Sequence, residues 1–145
     1  MKAEWIWTDH RLAAHPRMIY FKKKVRLPEQ EPPLACRLRI CADSRYLLMI
    51  NGSRVMTGPC RAPRGVRYMD ELDVAAYLRP GENEIFVKVI QYPDHKEKNI
   101  RFLTGPSSIV TEGIGGLWIE ERETSYGFST SAQYLCAEES GYAFR

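Results

Sequence analysis

Apolar and polar side chains alternate along much of this chain, and no stretch carries the 3.6-residue stripe of a long amphipathic helix. In IYFKKKVRL, Ile19, Phe21, Val25 and Leu27 alternate with Tyr20, Lys22, Lys24 and Arg26, the pattern of a strand with one wet face. Two of the three consecutive lysines therefore belong in solvent, and the basic run needs no separate explanation. PEQEPP ends the strand, because Pro28, Pro32 and Pro33 have no N–H to give to a ladder. CRLRICA repeats the alternation, with Cys36, Leu38, Ile40 and Ala42 set against Arg37, Arg39 and Cys41.

The next segment, ADSRYLLMINGSRVMTGPCR, compresses a corner and a hairpin. Asp43 and Ser44 can hydrogen-bond their own backbone and turn the chain, and YLLMI is apolar on both faces, as a strand inside a packed layer should be. Asn51-Gly52 tolerates the positive φ of a type I′ turn, so Asn51 is read as a turn residue rather than a ligand contact, and SRVMTG is the returning strand. PCRAPRGVRYMDE has neither period and reads as a long loop. DVAAYLRPGEN offers Asp73 as a cap, one helical turn from Val74 to Leu78 and a Pro80-Gly81 stop, before EIFVKVIQY resumes as a buried central strand. Beyond Tyr92 the signals weaken. PDHKEKNIRFLTGPSS is irregular, a strand loosened by glycine lies around Leu117 to Ile119, and YGFSTSAQYLC offers one more strand. Short strands broken by turn residues predict an all-β fold, an antiparallel β-sandwich or jelly roll.

Bulk properties set the remaining bounds. A chain of 145 residues, 44% of them hydrophobic, suits a single domain over residues 1–145 with its own core. The net charge of +3 is too small to argue for nucleic acid. The opening MKAEWIWTDH becomes charged before an apolar run of signal-peptide length, and no later run is long enough to span a bilayer, so a cytoplasmic chain is expected. Cys36, Cys41, Cys60 and Cys136 form no CxxC pair and are expected as reduced thiols. The scattered His10, His15 and His95 give zinc no ligand set.

WIW near the start, ADSRYLLMINGSRVMTGPCR and DELDVAAYLRPGENEIFVKVIQY, in that order, resemble the N-terminal β-sandwich domain of bacterial α-L-rhamnosidases and related glycosidases over roughly Glu4 to Tyr92. The linked order of corner, hairpin, long loop, DVAAYL turn and PGEN lead-in carries the resemblance. Sugar-binding sandwich domains of β-galactosidase-like enzymes share the hairpin and the PGEN turn. The resemblance implies a galactose-binding-like jelly roll beside a separate catalytic domain, an α/α barrel whose acidic residues direct an inverting attack by water. It also leaves room for a structural calcium beside Asp70 and Asp73, although no oxygen-ligand spacing resembles a calcium loop.

Glycoside hydrolysis needs two carboxyl groups across the scissile bond. The two acidic clusters here, Asp70, Glu71 and Asp73, and Glu120, Glu121 and Glu123, sit where strand ends and turns carry solvated charge. Carbohydrate binding draws on aromatic faces with guanidinium, amide and carboxylate partners, and the long loop supplies Arg61, Arg64, Arg67, Tyr68, Asp70 and Glu71, with Tyr92 and His95 further on. Trp5 and Trp7 share one face of an extended segment and serve either core packing, an exposed stacking platform or docking. Two functions are expected: a noncatalytic carbohydrate-recognition domain of an α-L-rhamnosidase-like enzyme, its site built from Arg61, Arg64, Tyr68, Asp70 and Glu71, or a structural domain bracing a downstream catalytic partner.

Overall fold

A computed structural model describes residues 2–9, 16–30, 32–60, 68–92 and 115–139. Eight strands are present among them: β1 (Arg17–Leu27), β2 (Arg37–Asp43), β3 (Arg45–Ile50), β4 (Ser53–Gly58), β5 (Asp70–Asp73), β6 (Gly81–Gln91), β7 (Gly116–Arg122) and β8 (Leu135–Glu138). They form two antiparallel sheets, one ordered β4-β3-β6-β1-β8 and the other β5-β2-β7. The chain is a β-sandwich, as its alternation predicts.

The inward residues of the long strands make the core. Ile19, Phe21, Val25 and Leu27 of β1 face Leu38 and Ile40 of β2, and Leu48, Ile85, Val87, Val89, Leu117 and Ile119 complete it, all nearly or fully buried. Each such side chain contributes about 1.5–3 kcal/mol relative to its exposed state. Lys22 and Lys24 are exposed, as expected. Lys23 lies on the inward side of β1, half-buried, where its ammonium donates to the Gly127 carbonyl at 2.6 Å and stands over the Tyr134 ring.

The Asp43-Ser44 corner carries the chain from one sheet to the other, since β2 and β3 belong to different sheets. Its peptide bond is cis. The buried Ser44 donates its N–H to the Ile90 carbonyl at 3.0 Å and accepts the Tyr92 N–H on its hydroxyl at 3.0 Å, tying the corner to the end of β6. Asn51 and Gly52 both take positive φ, 51° and 80°, as the hairpin requires. The helical turn is a 3₁₀ turn over Ala75–Tyr77 with Val74, not Asp73, at the cap position, and Asp73 one residue earlier accepts the Ala75 N–H at 3.0 Å.

YGFSTSAQYLC departs from the expected strand. Only its last two residues pair, as the start of β8, and residues 126–134 run irregularly beside β7. One backbone bond, from the Thr130 N–H to the Ile119 carbonyl at 2.9 Å, is supplemented by side chains: Ser129 Oγ accepts the Glu121 N–H at 2.9 Å, and Thr130 Oγ1 accepts the Ile119 N–H at 3.1 Å. Phe128 is meanwhile buried in the core.

Candidate functional site

The loop expected to hold sugar is described only at its end, since Arg61, Arg64 and Arg67 lie outside the described residues. At that end Tyr68 is 46% exposed and leads into β5. Asp70 does not project outward as an available acceptor: it takes the hydroxyl of the buried Tyr46 in a short hydrogen bond. Burial and this carboxylate both push the Tyr46 phenol well above its ordinary range. Glu71 faces solvent and pairs with Arg39 at 3.3 Å across the β2–β5 register. Asp73 accepts the Cys36 and Ala75 N–H groups, each at 3.0 Å, and these hydrogen bonds hold its pKa below the usual carboxylate range. The calcium expectation therefore meets two carboxylates already engaged by protein donors. Among the described residues, no cluster of three or more His, Cys, Asp or Glu side chains could hold a metal ion.

The second acidic cluster is also engaged. Glu120 pairs with Arg122 at 2.9 Å. Glu121 reaches back over the turn that follows it, accepting the Thr124 hydroxyl at 2.5 Å and the N–H groups of Tyr126, Gly127 and Phe128 at 2.7, 2.9 and 2.9 Å. Burial alone would raise its pKa, but the hydroxyl and three consecutive N–H donors outweigh burial and leave it lowered. Three successive amides converging on one carboxylate form an anion nest whose anion is part of the chain. The sequence carried a faint signal for it, an acid at a strand end followed by the small-residue turn ETSYGFS.

Thiol chemistry has a weak footing here. The buried Cys36 is pushed up to about 11 by burial, against a smaller opposing effect from Thr124, so it stays a neutral thiol near neutral pH. All four cysteines are free.

A groove lies elsewhere, at the side of the sandwich where β7 ends one sheet and β8, next to β1, ends the other. Ile6 forms an antiparallel bridge with Leu117, exchanging two hydrogen bonds of 3.0 Å, and this lays the N-terminal segment along β7. The flanking Trp5 and Trp7 then fall on one side of the segment. Trp7 packs against the core, with its ring 5.9 Å from that of Phe21, while its buried Nε1–H has no hydrogen-bond partner among the described residues. Gly115, at φ +108°, lies against the indole where any Cβ would collide. Core packing thus accounts for Trp7. Trp5 is half-buried and lines a groove of about 640 Å³ together with Trp7, Phe21 and Tyr134. At its wall, Asp9 receives both terminal nitrogens of Arg17 at 3.0 and 2.8 Å, and Arg17 also donates to Glu138 at 2.8 and 2.9 Å. This three-residue ion cluster joins residues 129 positions apart in sequence at its extremes, so no local pattern could have revealed it.

No protein-family profile matches the chain, and neither does any curated protein. Solved structures do match. The chain is similar to the GH78 family rhamnosidase of Bacillus sp. GL1, with 28% identity and a TM-score of 0.71, over 95% of this chain and 13% of that enzyme. The chain thus resembles a β-sandwich domain of the α-L-rhamnosidases. The Streptomyces avermitilis α-L-rhamnosidase complexed with L-rhamnose (15% identity, TM-score 0.60) and the α-L-rhamnosidase from Dictyoglumus thermophilum (19%, 0.59) share the fold over 94% of this chain. The chain spans only 12% and 16% of those two enzymes. Among the described residues, no helix is long and apolar enough to cross a membrane.

Proposed function

We propose that this chain is a noncatalytic carbohydrate-recognition and accessory domain working beside the catalytic part of an α-L-rhamnosidase-like glycoside hydrolase. The observation that carries the reading is the lopsided match: nearly the whole chain aligns with about an eighth of the Bacillus rhamnosidase. The state of the carboxylates supports it. Hydrolysis needs an acid and a second carboxylate about 5–9.5 Å apart across a glycosidic bond. Asp70, Asp73 and Glu121 instead serve Tyr46, the start of the 3₁₀ turn and the turn after β7, and Glu71 and Glu120 are paired with arginines.

The same engagement favours a second reading at the Tyr68 corner, where Asp70 is bonded to Tyr46 and Glu71 is paired with Arg39. There the domain would act as a brace, with Tyr68 exposed for docking. Incubating the purified chain with an aryl α-L-rhamnoside tests the first reading's noncatalytic half: no release of the aglycone is expected, and turnover that survives repurification would overturn it. Calorimetric titration with L-rhamnose separates the readings. Saturable millimolar binding supports recognition, and its absence leaves the brace.

A further inference from the structure

We infer that the outer face of the five-stranded sheet is the surface by which this domain docks on the catalytic part of an α-L-rhamnosidase-like enzyme, against a protein surface with an apolar centre and an acidic rim. The inference rests on the accessory-domain reading above and moves the contact from the Tyr68 corner to a sheet face. Two strands raise the question. YLLMI of β3 is apolar on both sides, and so is EIFVKVI of β6 but for Lys88, a pattern suited to strands with a packed layer on each side. Only one such layer is present among the described residues, because all eight described strands belong to the two sheets of the sandwich. Leu48, Ile50, Ile85, Val87 and Val89 fill the core between the sheets, fully buried. The alternate residues point the other way, and the register sets them side by side: Leu47 opposite Lys88, Met49 opposite Phe86 and Arg45 opposite Ile90, with Tyr20 of β1 next to Lys88. The Phe86 and Tyr20 rings stack there at 5.6 Å. The result is a half-buried apolar field in the middle of the sheet.

The charges around this field select its occupant. Lys22 lies opposite Phe86 and Arg54 opposite Met49, and these two and Arg45 make no ion pair among the described residues. Lys88 stands over the Tyr20 ring. Against these four cations the described residues set one carboxylate, Glu139, which takes the Tyr20 hydroxyl at 2.9 Å. Farther along, toward Gly81, Glu84 and Glu82 lie opposite Lys24 and Arg26 and balance them. A second copy laid face to face would oppose the same four cations, whereas a surface carrying carboxylates complements them. The other sheet shows how this chain builds a face for water. There Arg37, Arg39 and Arg122 interleave with Glu71, Asp73 and Glu120, and Arg39 meets Glu71 at 3.3 Å while Arg122 meets Glu120 at 2.9 Å. Apart from Trp118 opposite Cys41, that face is neutral and paired within itself. The five-stranded face is apolar and unbalanced instead, as a surface awaiting a partner would be. The match supplies the partner: the chain accounts for 13% of the Bacillus rhamnosidase, and the bulk of such an enzyme lies outside this sandwich.

The test compares hydroxyl-radical oxidation of the isolated chain with that of the full-length α-L-rhamnosidase-like polypeptide that carries it. Met49 and Phe86 should oxidise readily in the isolated chain and about fivefold or more slowly in the enzyme, where the docked surface excludes water. A carbodiimide, which links amines to carboxylates in contact, should join Lys22 and Lys88 to acidic residues outside this domain. The Lys22→Glu, Arg54→Glu double variant changes two exposed residues and should restore fast oxidation in the enzyme, while Arg37→Ala on the other sheet leaves it slow. The spectrum of each isolated variant reports whether it remains folded. Slow oxidation in the isolated chain would give the face another occupant, the chain itself or, where the chain sediments as a dimer, a second copy, and would overturn the inference. Protection in the enzyme that falls on Tyr68 or on the Arg39 face would overturn the assigned surface while keeping the accessory-domain reading. No protection anywhere on the chain would overturn both.

Discussion

Two polar clusters hold the turns of this sandwich, one neutral and one ionised. At the hairpin end, the Asn51 amide donates to Asn83 Oδ1 at 2.8 Å and to the Tyr77 carbonyl at 3.0 Å, and its own oxygen accepts the Glu84 N–H at 2.9 Å. Asn83, fully buried, spends its remaining capacity on the Arg79 N–H and on the Arg79 and Gly81 carbonyls. Beside β7, the single carboxylate of Glu121 performs the equivalent task for residues 124–128. Both satisfy backbone groups that the sheets leave unpaired. The difference lies in protonation: an amide cluster keeps its strength at any moderate pH, whereas a carboxylate nest loses its acceptor when the acid is protonated.

The ionised cluster should be the more costly to delete. Glu121→Ala strips an acceptor from four donors at once, one of them the N–H of the buried Phe128, and should cost about 3 kcal/mol in urea unfolding, with partial solvent access holding the loss below the sum of its parts. A loss under about 1 kcal/mol would mean that water replaces the nest. Asn83→Ala should cost about 2 kcal/mol by thermal unfolding, and a double-mutant cycle with Asn51→Ala should show strong coupling, since the two amides bond directly. Strict additivity would sever the proposed cluster.

Two smaller effects sharpen the contrast. Gly52→Val places a β-branched residue at φ +80° in open space, so its cost of about 1 kcal/mol or more is purely conformational. It should appear as a lowered unfolding midpoint without a change in sugar titration. Glu71→Ala removes an ion pair whose members are 49% and 37% exposed, and should shift stability by less than about 0.5 kcal/mol. A larger change there would mean that the two acidic regions are not different in kind.

The hairpin was legible because Asn-Gly between two apolar runs has a local cause, positive φ, that any reader of the chain can name. The strands β1 and β2 were legible from a period of two and β3 and β6 from short runs apolar on both faces, and both patterns are properties of neighbours. Asn83 was not, since its partners become visible only when β6 is laid beside the hairpin. Lys23 also departed from the simple rule, because its inward position is satisfied by a carbonyl 104 residues away in sequence. YGFSTSAQYLC misled for a related cause. Its alternating serines, threonine and aromatics look like a strand, but a single backbone bond from Thr130 and two hydroxyls join it to β7 where a regular ladder would run. Of the expected sugar ligands, Tyr68 stands exposed where the loop reading put it, while Asp70 answers to a tyrosine 24 residues earlier that no spacing in the loop could have indicated.

The central claim is that the carboxylates of Glu121 and Asp73 are committed to the fold, and pH tests it most directly. The folded pKa of Glu121 is lowered, so its contribution is fully present above the unfolded value of about 4.3 and is lost as pH falls through the lower folded value. Asp73, lowered by the Cys36 and Ala75 amides, acts in the same direction. The decisive measurement is unfolding free energy from pH 7 to pH 3 for the parent, Glu121→Gln and Asn83→Ala. The parent should lose stability below about pH 4.5, the Gln variant should start lower and converge on the parent as the acid is protonated, and the Asn83 variant should run parallel to the parent throughout. A Glu121→Gln curve parallel to the parent from pH 7 to pH 3 would contradict the account, because the ionised carboxylate would then contribute nothing that protonation removes.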